Sequence, residues 1–135
     1  MKGSANHSKL ILFRCLALSF FAIFVLIVLV ANRGEGNRWW GFLVRHEYGD
    51  KIGHLGLVGT LCFLGNLALT LRHIPRLPRF ITTVTFILLS LLTIEELSQA
   101  FIPTRTCDLF DWLADLCGLA LGQTAALFVR ARLLR

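Results

Sequence analysis

The chain has 135 residues, one domain's worth, of which 56% are hydrophobic and 16% charged. With a mean hydropathy of +0.68, that balance excludes an ordinary soluble domain, whose surface must be wetted, and makes the bilayer the natural solvent. A net charge of +6 would suit nucleic acid, but no basic face interleaved with aromatics lies outside the apolar segments, so nucleic acid is excluded as a partner.

The first apolar segment covers 10–31, and its charge-free part, 15–31, has 17 residues, about the shortest run that spans with snorkelling flanks. Arg14 is expected to reach the headgroups. A cleaved leader is the rival reading, but leaders carry apolar runs of about 7 to 15 residues and end in small residues at the cut, so retention is expected. Residues 32–51 mix Trp39, Trp40, Phe42 and Tyr48 with charges, which predicts a loop lying in the headgroup zone.

Three further segments, 52–71, 80–101 and 109–129, are each about 20 residues long and so of spanning length. The connection 72–79 carries Pro75 and Pro78, which cannot continue a helix, and the next turn surrounds Pro103. Links this short make the helices antiparallel neighbours. The expected fold is all-α, an integral membrane four-helix bundle forming a single domain over 1–135.

Charge sets the expected orientation. Lys2, Lys9, Arg14, Arg72, Arg76, Arg79, Arg130, Arg132 and Arg135 cluster at one set of helix ends without an acid among them. By the positive-inside rule these are cytoplasmic, giving N-in and C-in termini and a multi-pass protein. All eight acids fall at the other ends, beside Arg33, Arg38, Arg45, Lys51 and Arg105. Cys15, Cys62, Cys107 and Cys117 lack the short paired spacing of a zinc site or redox dithiol, so small apolar packing is their expected role.

The acids at the outer ends cannot all stay in water. The third segment is charge-free only over 80–94 and the fourth only over 116–129, about 21 to 22 Å against a hydrocarbon core of about 30 Å. An intramembrane charge is expensive and should face a partner or a wet cavity. At about 100° per residue, Asp108, Asp111 and Asp115 share an arc of about 60° with Gly118 and Gly122, a face on which a neighbouring backbone can approach closely. Asp50 and His54 stack four apart with Lys51 between, and Glu96 and Gln99 three apart, while Arg105 lies in the adjoining turn. Glu95 turns about 100° from Glu96 and is the weaker candidate. Asp50 and Asp108 also suit helix caps, and Asn66 suits interhelical hydrogen bonding.

Asp50-Lys51-x-x-His54, Glu96-x-x-Gln99, Pro103-x-Arg105 and Asp108-x-x-Asp111, followed by Gly118 and Gly122, resemble in this order the VanZ-like family of small bacterial membrane proteins. The resemblance covers about half the chain. It departs from the family at Asp115, where Asn is usual. What it implies is a bacterial cytoplasmic-membrane protein with an envelope-facing site, and a family link to resistance to teicoplanin, a glycopeptide acting on cell-wall precursors.

Three functional readings follow. In the first, the site binds or modifies a lipid-linked or headgroup substrate, with acid and base drawn from His54, Glu96 and Asp111. Lys51 and Arg105 would then hold an anionic group, and Asp50, Gln99, Asp108 and Asp115 would complete the binding surface. No cofactor is expected in that reading. In the second, Asp108, Asp111 and Asp115 hold Mg²⁺ against a diphosphate. In the third, the protein is a non-enzymatic membrane module that shields envelope precursors or scaffolds a membrane partner, its polar cluster only locking the helices.

Overall fold

The computed structural model describes residues 2–44, 46, 48–76, 78 and 80–133. Arg45, Glu47, Arg79 and Arg135, which entered the charge pattern above, lie outside the described residues. Among the described residues there are five helices: α1 Lys2–Asn32, α2 Gly36–Val44, α3 Gly49–Ala68, α4 Thr83–Gln99 and α5 Leu109–Leu133. No strand occurs among the described residues. Three helical stretches, His7–Asn32, Gly49–Ala68 and Leu109–Arg132, are long and apolar enough to cross a membrane.

The connection at 32–51 is more ordered than the sequence pattern suggested. It contains α2, kinked at Trp40 (φ −131°, ψ 21°), and it ends early because α3 starts at Gly49. The third apolar segment is shorter than expected, 17 residues instead of 80–101. Thr82 is extended and its hydroxyl accepts the Thr85 N–H, so the cap sets the start at Thr83. The Thr82 N–H and hydroxyl both donate to Gln123 Oε1, each at 3.1 Å. That leaves α4 about 26 Å long, slightly under one hydrocarbon thickness.

α3 is the central helix. It packs along α5 on one side, against α1 on another, and touches α2 and α4. The α3–α5 seam is close because glycines face each other. A Cβ on Gly118 would meet the Leu55 carbonyl oxygen at 2.8 Å, and one on Gly122 would strike the Gly59 carbonyl oxygen. Dispersion along so tight a seam holds the two helices together. Val58, Leu61, Cys62, Val84, Leu88, Leu92 and Leu119 form the apolar core, with Phe20 and Phe24 of α1 packed on it. Asn66 ties α3 to α4, its Nδ2 donating to Thr85 Oγ1 at 3.3 Å and to its own helix's Cys62 carbonyl at 2.9 Å.

Alternation of direction brings the C-terminal ends of α1 and α4 beside the N-terminal ends of α3 and α5. Cross-links among the side chains there hold that end together, and the polar cluster lies in it.

Candidate functional site

The site is assembled from short-range helical geometry. Asp108 stands immediately before α5, and its Oδ1 accepts the Phe110 N–H at 2.8 Å, a helix cap at a dipole end that favours negative charge. The Phe110 N–H and the Lys51 ammonium together hold its carboxyl below the usual carboxylate range. Asp50, the other cap candidate, sits within the first turn of α3; the cap position there is Tyr48, with no side-chain cap bond.

Lys51 projects across to α5 and donates to Asp108 Oδ2 at 3.1 Å and Asp111 Oδ1 at 3.0 Å. One turn deeper, His54 Nδ1 lies 3.0 Å from Oδ1 of Asp115, whose residue is only 2% exposed. Two residues of α3 therefore meet Asp111 and Asp115 of α5 and Asp108 just before it, because i, i+3 and i+4 positions share a helix face and the glycine seam keeps the two faces adjacent.

α4 contributes from its last turn. Glu96 is buried and accepts the Asp108 backbone N–H at 2.7 Å and the Gln99 amide at 3.2 Å. Gln99 also donates to Glu95 Oε2 at 2.9 Å and accepts from Arg105 Nε at 3.3 Å. Trp112 Nε1 donates to Thr93 Oγ1 at 3.0 Å, fastening the start of α5 to α4.

These groups border a cavity of about 570 Å³. Its polar wall is Asp50, His54, Glu95, Gln99, Arg105, Asp111 and Asp115, and its apolar wall includes Phe24, Ile27, Leu57 and Leu92. Trp40 and Asn37 of α2 close one side. Gly34, at φ +76°, turns the chain from α1 into α2. There the Thr104 hydroxyl donates to the Asn32 carbonyl at 2.8 Å, so the turns after α1 and after α4 meet above the cavity.

Every residue expected from the sequence lies in this one end of the molecule, but not all of them face the cavity. Lys51, Asp108 and Glu96 do not line it. Lys51 is taken up by two carboxylates and Glu96 by the start of α5, so one of the two cations expected to hold an anionic substrate is already neutralised; Arg105, the other, lines the cavity and donates to Gln99. Glu95, the weaker candidate on helical phase, is the α4 carboxylate on the wall. Both Glu95 and Glu96 can reach Gln99, at i+4 and i+3, so the sequence motif fits either. Trp40, read from the sequence as a headgroup aromatic, has its ring over Gly36, where a Cβ would meet Trp40 Nε1 at 3.1 Å, and lines the cavity. The Gly36-to-Trp40 spacing of one helical turn was the available signal.

Metal-ligand geometry also departs from the expected set. Among the described residues, the three side chains whose donor atoms all lie within 4.8 Å of one another are Asp50, His54 and Asp111. Asp108 and Asp111 share the Lys51 ammonium and Asp115 is turned to His54, which draws the Asp108, Asp111 and Asp115 carboxylates to different partners.

Scans of protein-family models, curated proteins and solved structures each gave no match to the chain.

Proposed function

We propose that the chain is a bacterial cytoplasmic-membrane protein in which α1, α3, α4 and α5 cross the bilayer with both termini inside. Its cavity opens to the cell envelope, where it binds and modifies the head of a lipid-linked substrate. What supports four crossings is the segregation of bases from acids in the sequence and the alternating direction of the helices. α4 needs only slight thinning or snorkelling flanks to match the bilayer.

The observation that carries the functional reading is the buried Asp115 carboxylate on His54 Nδ1 at the wall of a wide cavity. An imidazole so held has one ring nitrogen fixed and the other available for proton transfer. His54 is the acid or base in this reading and Asp111 its second carboxylate. Glu96 positions Asp108 and does not meet substrate. The resemblance to VanZ-like proteins supports the envelope-facing side and links the reading to glycopeptide resistance, teicoplanin in particular.

The test is growth under envelope-acting glycopeptides, and turnover of envelope lipids, in cells whose own copy is replaced by His54→Gln or Asp111→Asn. Loss of phenotype with a monodisperse, normally unfolding protein supports chemistry at His54; full retention by both variants overturns it. A non-enzymatic module is favoured by a separate observation, the Lys51 and Glu96 bonds that fasten helix ends together. In that case Asp111→Asn damages folding and phenotype together.

A further inference from the structure

A second groove joins the cavity. It is lined by Phe21, Phe24, Val25 and Val28 of α1 and by Leu88, Leu91 and Leu92 of α4, with Glu95 at the junction. Phe24, Val28, Leu92 and Glu95 belong to both walls. The groove of about 230 Å³ is almost wholly apolar. It exists because the α1 backbone leans on α3 and not on α4: among the described residues, the Cα atoms of α1 and α4 stay more than 8 Å apart. Phe21 and Leu91 are exposed along it.

The cavity at its head is acidic. Asp50, Glu95, Asp111 and Asp115 stand on the wall against Arg105 and His54, and Lys51 is divided between Asp108 and Asp111. Lys51 and His54 answer Asp111 and Asp115, but among the described residues Asp50 and Glu95 have no ion pair, so carboxylates outnumber cations at this low-dielectric wall and an added positive group is favoured there. Trp40 adds a face suited to an ammonium.

Resting on the reading of this cavity as a lipid-head site, we propose that its occupant is an amphiphile with a cationic amine head, the head between Trp40 and the carboxylates and the tail in the α1–α4 groove. A divalent ion is the poorer fit. The Lys51 ammonium sits 3.0 Å from Asp111, one of the ion's three ligands, and the cavity is far larger than one ion and carries an apolar wall. A phosphate head would meet four carboxylates.

The experiment uses the full chain in maltoside micelles with two photoreactive probes sharing a dodecyl tail tipped by a diazirine, one headed by an ammonium and one by a phosphate. Native mass spectrometry and mapping of the labelled residues are the readouts. The expected result is saturable binding of the ammonium probe, at least about tenfold tighter than the phosphate probe, with label on Phe21, Val25, Leu88 or Leu91. Free ethylammonium competes only weakly because it lacks the tail. Trp40→Leu weakens the ammonium probe about fivefold and leaves the phosphate probe unchanged; the two-probe comparison on the native sequence stands whether or not that variant folds.

Tighter binding of the phosphate probe overturns the amine assignment while leaving an amphiphile site in place. Label confined to outward residues such as Phe128, or ethylammonium competing as well as the tailed probe, overturns the groove. A saturable Mn²⁺ site that Asp50→Asn abolishes, with no amine binding, replaces the proposal by a metal. Failure of both probes to saturate overturns the lipid-head reading as well.

Discussion

Oδ1 of Asp115 lies 3.0 Å from Nδ1 of His54, so a carboxylate buried to 2% exposure fixes an imidazole on the opposite helix. The Asp115 charge thus has a partner, which a neutral amide would serve less strongly.

Asp115→Leu removes that partner and leaves a half-buried ring nitrogen unsatisfied, a cost of about 1 to 3 kcal/mol. Asp115→Asn keeps a hydrogen bond and should retain most of the stability. Thermal unfolding in detergent measures the first effect. Nitrogen-15 shifts of His54 report whether Nδ1 still carries the proton, and an unchanged spectrum in Asp115→Leu would refute the contact.

Lys51→Met strands Asp108 and Asp111 opposite each other. The expected effect is a lower melting temperature, smaller than for a fully buried pair because the Lys51 and Asp108 side chains are 31% and 35% exposed. Adding Asp111→Asn to Lys51→Met should recover part of the loss. A double-mutant cycle that comes out additive would show that the three groups do not interact.

Gly122→Val drives side-chain atoms into the α3 backbone at Gly59. Separation of the two helices forfeits the seam, and the expected destabilisation is about 3 kcal/mol or more, the upper end for overpacking. Gly56→Val is the control, since nothing lies within 4 Å of a Cβ there. Equal behaviour of the two variants in a thermal melt would contradict the packing described.

Acid should loosen the start of α5. The Phe110 N–H and Lys51 depress the Asp108 carboxyl, so its contribution is present above its unfolded value, about 3.9, and fades as pH falls through the lower folded value. Asp108→Asn still caps the helix but does not titrate. The protection factors of the Phe110 and Asp111 amides, exchange corrected for its intrinsic pH dependence, should therefore fall below about pH 4 in the native sequence and stay flat in Asp108→Asn; a fall of the same size in both would exclude Asp108 as the cause.

Much of the site was legible because helical phase is a local property. Asp111, Asp115, Gly118 and Gly122 share one face at any fold of the chain, and Asp50 with His54 another. Periodicity also showed long apolar helices and the breaks at the prolines. Which carboxylate of the Glu95 and Glu96 pair faces the cavity was not legible: one step of about 100° separates them, and the choice depends on how α4 is rotated against α5. Nor could the sequence tell that Trp40 turns inward, because an amphipathic aromatic suits headgroups and cavities equally.

By itself, the sequence determined that this protein is helical and apolar, which residues stack along each helix, and that its acids and its unaccompanied bases belong to opposite helix ends. Only the tertiary structure decided the partners: Lys51 to Asp108 and Asp111, His54 to Asp115, Glu96 to the Asp108 N–H, Glu95 and Trp40 to the cavity. Pairing across helices depends on their relative rotation and depth. These are fixed by glycine contacts such as Gly59 with Gly122, far along the chain from the groups they bring together.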